Sequence, residues 1–179
     1  MSESDDLPLD LPKAIFIIAG PNGAGKTTYA MRFLPEVMEN PIFLNADEIA
    51  RGLNPTAVQD VALEAGRRML TRIGEHVERG DSFAFETTLS GRGYAKGIKT
   101  WRAAGYEVFL TFLCLPNAEA AKERVRLRVA QGGHNIPPDV IERRFSAGIK
   151  NFDALYKPLV SGWSLYDNSG AAPLLIEEG

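Results

Sequence analysis

A single cysteine, Cys114, is the whole thiol content of this 179-residue chain, so no disulfide can close within it. Cys114 sits inside the apolar run Val108–Leu115, which makes a buried strand thiol and a reducing compartment the expectation. No apolar stretch approaches the roughly 20 residues of a membrane span. The opening M-S-E-S-D-D-L-P-L-D is acidic and lacks the charged-then-apolar layout of a secretory leader. Positive charge is not in excess either: 20 Lys and Arg face 23 Asp and Glu, for a net charge of −3. Neither a nucleic acid held by phosphate neutralisation nor a membrane surface is therefore an expected partner. The chain reads as a cytoplasmic globular protein.

The strongest positive signal runs from Ala14 to Thr28. An apolar run ends in Gly20-Pro21-Asn22-Gly23-Ala24-Gly25-Lys26-Thr27, followed by Thr28, which fits the phosphate-loop pattern G-x-x-x-x-G-K-[ST]. The glycines let consecutive backbone N–H groups turn inward on phosphate oxygens, and the following helix adds the positive end of its dipole. Lys26 then reaches the β- and γ-phosphates of a nucleoside triphosphate, and the Thr27 hydroxyl can hold Mg²⁺. A plain glycine turn between strand and helix would leave Lys26 and Thr27 unexplained.

Around this loop the pattern alternates strand and helix. Residues 1–12, acidic and with two prolines, read as a loose tail, and residues 13–179 as one domain large enough to bury its own core. Lys13–Ala19 reads as a buried strand, Thr27 to about Leu34 as a helix closed by Pro35, and Pro41–Leu44 as a short strand. The three- and four-residue spacing of Val58, Val61, Ala62, Ala65, Met69, Ile73 and Val77 predicts a long helix over Thr56–Arg79, with Gly80 as its terminator. A third strand is expected at Ser82–Phe85, a helix that includes Ile98–Ala104 and is ended by Gly105, and a fourth strand at Tyr106–Leu115. Asn117 caps a helix to about Ala130, another starts at Pro138–Phe145, and Trp163–Tyr166 and Pro173–Ile176 form a final strand or hairpin. The expected architecture is a three-layer α/β fold with a parallel sheet.

Further candidates lie where parallel strands end, the edge at which open sheets bind ligands. Asn45-Ala46-Asp47-Glu48 follows the second strand. An acid there can take the proton of an attacking hydroxyl, and Asn45 or Asp47 can equally cap a short helix at Glu48–Gly52. Glu86-Thr87-Thr88 follows the third strand. Glu86 can hold metal through water, accept hydrogen bonds from substrate, or be a solvated loop acid. Arg124 and Arg128, the turn Gly132-Gly133-His134-Asn135, and Arg143-Arg144 read either as a closing lid over about 124–145 or as ordinary basic helix surface. His134 can cap or gate such a lid, and His76 reads as structural. Leu89-Ser90-Gly91-Arg92-Gly93 faintly matches a transporter-ATPase signature, but no room exists for the helical subdomain those proteins insert. No Asn-Lys-x-Asp guanine-reading sequence is present, which favours adenine.

Taken together, G-P-N-G-A-G-K-T-T, F-L-N-A-D-E-I-A-R-G-L-N-P, F-A-F-E-T-T-L-S-G and R-V-A-Q-G-G-H-N-I-P-P-D-V-I-E-R-R-F resemble the zeta-toxin-like P-loop kinases, from about Lys13 to Phe152. The resemblance implies a kinase with a five-stranded parallel core, ATP and Mg²⁺ as donor, and a small-molecule hydroxyl acceptor. In relatives that acceptor is a UDP-N-acetylamino sugar. It implies Asp47 as general base, Lys26 on the β/γ-phosphates, Thr27 on the metal, and Asn45, Glu86, Thr87 and Thr88 around the acceptor. Arg128 and Arg143 would be the lid arginines, with Arg124 and Arg144 the alternatives in the other register. It also implies a toxin–antitoxin pairing, with an antitoxin protein as partner. The alternatives left by the residues are a kinase of another metabolite, nucleotide or antibiotic, and a non-catalytic ATP-dependent switch.

Overall fold

The computed structural model describes residues 12–179, so the tail expected over residues 1–12 lies outside the described residues apart from Pro12. Ala14–Ala19 (β1) carries Ile15 and Ile17 to one face and Ile18 to the other, and all three are fully buried. Burial on both faces explains the lack of polar alternation, and it places β1 in the middle of a sheet. The other strands are β2 (Phe43–Leu44), β3 (Phe83–Thr87), β4 (Glu107–Cys114), β5 (Gly162–Asp167) and β6 (Leu174–Glu178). Their order is β2-β3-β1-β4-β5-β6, with the first five parallel and β6 antiparallel to β5. The parallel core is as expected, and the hairpin adds a sixth, edge strand.

Helices cover both faces of the sheet. On one side α2 (Ala46–Leu53), α3 (Ala62–Arg79) and α4 (Tyr94–Ala103) pack through Ile49, Met69, Ile73, Ile98 and Trp101 onto Ile15, Ile17, Phe83, Phe85 and Leu110. On the other, α1 (Lys26–Val37), α5 (Ala118–Ala130) and α6 (Pro138–Asn151) pack through Ala30, Leu34, Ala121, Val125 and Ile141 onto Ile18, Ala84 and Leu113. A π-helical turn, Phe152–Tyr156, and a single 3₁₀ turn, Lys157–Leu159, follow α6.

Several boundaries differ from the sequence expectation, each for a local reason. Pro35 does not close α1, which runs on to Val37. The carbonyl that Pro35 cannot reach belongs to exposed Met31, where water can satisfy it. The long helix begins at Ala62, not Thr56. The Asn54 carbonyl oxygen accepts from the Thr56 and Ala57 amides and the Thr56 hydroxyl, a side-chain turn that competes with helix. Strand β3 extends through Thr87, so Glu86 and Thr87 belong to the strand rather than to the loop after it. Gly80 ends α3 in the left-handed conformation and Asn117 caps α5 through the Ala120 amide, both as expected.

The base of α6 is fastened to the segment after β3. Asn151 Nδ2 donates to the carbonyls of Leu89 and Ser90, and the Tyr156 hydroxyl donates to that of Gly91. Gly148 comes so close that an added Cβ would sit 2.6 Å from the Thr88 carbonyl oxygen. Gly148→Ala should therefore cost about 1–3 kcal/mol by overpacking. At roughly 2–4 °C per kcal/mol for a chain of this size, thermal denaturation should show a drop of several degrees. An unchanged melting temperature would mean that α6 yields freely at this point.

Candidate active site

The phosphate loop leaves β1 and enters α1 through glycines in positive-φ conformations. Gly20 has φ 146° and lies against the Leu113 carbonyl, with no room for a side chain, and Gly25 has φ 80° where α1 begins. Lys26, the first residue of α1, is only 8% exposed, and its ammonium donates to the Pro21 carbonyl at 3.1 Å. Burial lowers its pKa, while Glu86 and Asp47 favour the charged form. Thr27 Oγ1 donates to Glu86 Oε2 at 2.7 Å. Burial raises the Glu86 pKa against the pull of Lys26 and the Thr27 hydroxyl. An ammonium, a hydroxyl and two carboxylates thus converge at the C-terminal edge of β1, β2 and β3.

Asp47 is placed by its neighbour. The buried Asn45 side chain accepts from the Asp47 amide at 2.7 Å and the Glu48 amide at 3.3 Å, capping α2. The Asp47 carboxylate therefore stands in the first turn, at the positive end of that helix. Asn45 has a capping task and also lines the cavity beside Asp47. Thr87 Oγ1 accepts from the Leu89 amide and Thr88 Oγ1 lies 2.9 Å from Ser90 Oγ, so both hydroxyls are held at the strand end. Leu89 has φ 58°, rare for a branched side chain, and is held there by complete burial and the Asn151 contact.

These groups open onto one cavity of about 380 Å³, lined by Asn22, Lys26, Asn45, Asp47, Glu86, Thr87, Thr88, His134 and Arg144, with apolar walls from α3 and α6. Arg144 is half-buried, and burial lowers its pKa, with Asp47 pulling the other way. Arg143 is exposed and does not line the cavity, whereas Arg144, the alternative in the other register, does. One helical position is about 100° of rotation, enough to turn one of two adjacent arginines inward and the other out. Arg128 donates through Nη2 to the His134 carbonyl at 3.3 Å, and its Nε is buried with no hydrogen-bond partner among the described residues. Arg124 reaches the phosphate loop, donating to the carbonyls of Gly23 (3.4 Å) and Ser169 (2.9 Å). Thr28 is exposed and lines a neighbouring groove with Gly25, Tyr29 and Arg124.

Three contacts were not foreseen from sequence. Asn168, one residue past β5, donates to the Ala24 carbonyl at 2.6 Å and so braces the phosphate loop. The rule that pointed to the ends of β2 and β3 applies equally to β5, whose weak strand pattern hid it. Gln59 Nε2 donates to the Asn135 carbonyl, tying the loop before α3 to the turn between α5 and α6. His134 Nε2 stands 3.7 Å from Asp47 Oδ2.

Burial lowers the His134 pKa, with Asp47 pulling the other way. A proton therefore binds less readily to the folded protein than to the unfolded chain. His134 contributes stability that is present above about pH 6.5 and is lost as pH falls through its folded value. An NMR titration of the imidazole should give a midpoint below the usual one. In Asp47→Asn the midpoint should drop further, and a rise in that variant would contradict this placement of the two groups.

Among the described residues no helix is long and apolar enough to cross a membrane. The sheet order, the phosphate loop and the acids at the strand ends define the fold of an ATP-dependent P-loop kinase. The zeta toxin family model matches residues 4–175, and the chain belongs to that family. It is 31% identical over 133 residues to an uncharacterized protein of Haemophilus influenzae, covering 74% of this chain and 92% of that protein. A structure from the PezAT chromosomal toxin–antitoxin system of Streptococcus pneumoniae superposes with a TM-score of 0.68 at 17% identity, covering 93% of this chain and 71% of that one. The AvrRxo1-ORF1:-ORF2 structure with ATP superposes with a TM-score of 0.69 at 17% identity, and 58% of its chain is covered. At these identities the superpositions speak to fold.

Proposed function

We propose that this chain transfers the γ-phosphate of ATP to a hydroxyl group of a small molecule. The observation that carries this reading is the placement of Lys26, Glu86, Asp47 and Arg144 around one cavity at the end of a phosphate loop, with Thr27 hydrogen-bonded to Glu86 behind it. In this reading Gly20–Thr28 cradle the nucleotide phosphates, and the buried Lys26 ammonium holds the β/γ-phosphates. Thr27 Oγ1 and the Glu86 carboxylate, hard oxygen donors of the kind Mg²⁺ takes, would hold that ion. Bound Mg²⁺ would neutralise charge on the phosphates.

The acceptor hydroxyl oxygen attacks the γ-phosphorus as its proton passes to the Asp47 carboxylate. The new O–P bond forms, the bond from phosphorus to the bridging β–γ oxygen breaks, and ADP leaves with that oxygen. Arg144, which lines the cavity, would neutralise the transferring group, and Arg128, in the adjoining groove, has a buried Nε without a partner among the described residues, a donor suited to a phosphate oxygen. Asn45 positions the base, while Thr87 and Thr88 offer hydroxyls to the acceptor. The nucleotide-sugar acceptor that the resemblance implies is one case of this reaction. A cytoplasmic setting, where ATP is abundant, belongs with the same reading. So does an antitoxin partner, supported by the likeness to the PezAT system.

Asp47→Asn should bind ATP with near wild-type affinity, and ³¹P NMR with ATP, Mg²⁺ and acceptor should show no phosphomonoester. Undiminished transfer in that variant would remove Asp47 from the mechanism. The two neighbouring arginines give a sharper comparison. Arg144→Ala should lower kcat by about 10³-fold, on the scale of arginine fingers, and Arg143→Ala should stay within a few-fold of wild type. Equal losses at both positions would mean that α6 turns before catalysis.

A further inference from the structure

We propose that Arg51 is a specificity-determining residue, whose guanidinium holds a phosphate or carboxylate that the acceptor carries away from its reacting hydroxyl. This rests on the phosphotransfer reading and adds a second space to the cavity on which that reading stands.

Position is the first argument. Asp47 and Arg51 stand four residues apart on α2, so they share one face of that helix. A compound whose hydroxyl reaches Asp47 and which continues along α2 meets Arg51 about 6 Å further on, at 1.5 Å of rise per residue. Arg51 is among the cations that oppose protonation of His134, and that imidazole stands 3.7 Å from Asp47. Arg51 lines an outer groove with Thr56, Gln59, Arg128 and the turn before α6. Val58, Gln59 and His134 line both the groove and the cavity, so the two spaces adjoin.

Charge is the second argument. Among the described residues Arg51 makes no hydrogen bond and no ion pair, not even with Asp47, although the spacing permits one. Two guanidiniums, Arg51 and Arg128, face the groove against one carboxylate, Asp60. Arg128 is turned to the His134 carbonyl, which leaves Arg51 with its whole fork of donors open. Such a fork matches the oxygens of a phosphate or carboxylate in pairs.

The groove itself is firmly built. On one bank the Asn54 side chain holds the amides of Thr56 and Ala57. On the other, Gly133 packs so closely that an added Cβ would sit 2.7 Å from Arg128 Cγ. Gln59 Nε2 ties the two banks together through the Asn135 carbonyl. Arg51 also lies in the last turn of α2, where any cation favours the helix dipole. A lysine serves that purpose equally well, but it lacks the planar fork.

The test measures transfer by the full chain from ATP·Mg²⁺ to N-acetylglucosamine, N-acetylglucosamine 1-phosphate and UDP-N-acetylglucosamine. Arg51→Lys, Arg51→Ala and Arg51→Glu are run beside the wild type, with Arg67→Ala, an exposed arginine outside both spaces, as control. We expect at least one phosphate-bearing probe to have a KM tenfold or more below that of the neutral sugar. Arg51→Ala should raise that KM at least tenfold and Arg51→Glu further, with Arg51→Lys between wild type and Ala. The KM for ATP should hold throughout, and Arg67→Ala should match the wild type. Of the two phosphate-bearing probes, the one with the lower KM separates a sugar phosphate from a nucleotide-linked sugar. A role confined to the helix end would lower the melting temperature of Arg51→Ala, spare Arg51→Lys and leave the acceptor KM unmoved. That result overturns the assignment, as do equal use of the neutral sugar and slow ATP hydrolysis that no probe changes. All three leave the donor site standing. ATP bound without transfer to any probe or to water would instead defeat the phosphotransfer reading itself.

Discussion

The constraint on which the site depends is the burial of a lysine ammonium. Lys26 lies at the start of α1 with almost no contact with solvent, and a cation there is retained only if nearby groups replace its hydration. The Pro21 carbonyl supplies one hydrogen bond, and Glu86 and Asp47 supply opposite charge. Those two acids come from different strand ends. β3 must therefore deliver Glu86, and β2 must hand over to α2 within one residue. The Asn45 cap fixes that handover, and the Thr27–Glu86 hydrogen bond fixes the other side. Phosphate loop, sheet order and helix cap thus serve one charge.

The same constraint explains the traffic around β3. Glu86 carries an unfavourable burial of its own, offset by Lys26 and Thr27, so it is held in place by what it stabilises. Beyond it the backbone turns sharply through Thr87, Thr88 and the left-handed Leu89. That turn is strained and persists because Leu89 is sealed in the core and its carbonyl is taken by Asn151. The Thr87 and Thr88 hydroxyls are held for reasons that lie outside the cavity.

Much of this was legible in the amino-acid sequence where a single residue type answers a single physical demand. Gly20 and Gly25 at positive φ, Gly80 ending α3 and Asn117 capping α5 are of that kind. The phosphate loop and the two acids at strand ends were equally legible, because the parallel-sheet rule ties chemistry to one edge. What could not be read depended on distant partners or on fine rotation. The hydrophobic spacing through Val58 and Val61 continues into a segment that Asn54 folds as a turn, and periodicity does not register that competition. Arg143 and Arg144 differ by one helical step, and only the packing of Ile141 and Gly148 fixes which faces inward. The walls of the cavity come from α3, α4 and the turn before α6, and no pattern within one segment records their meeting.

The anchoring of α6 at one end has a mechanical consequence. Asn151 and Tyr156 pin its C-terminal base to the Leu89–Gly91 backbone, while its N-terminal half is held by buried Ile141 and by the Glu142–Lys122 ion pair to α5. Fourteen residues make a rod of about 21 Å. A tilt of ~10° about Asn151 swings Pro138 by ~3 Å and Arg144, about halfway along, by ~2 Å, at about 1.5 Å of rise per residue. Any tilt that shifts Val140 therefore carries the Arg144 guanidinium with it, so the wall of the cavity and its arginine move as one piece.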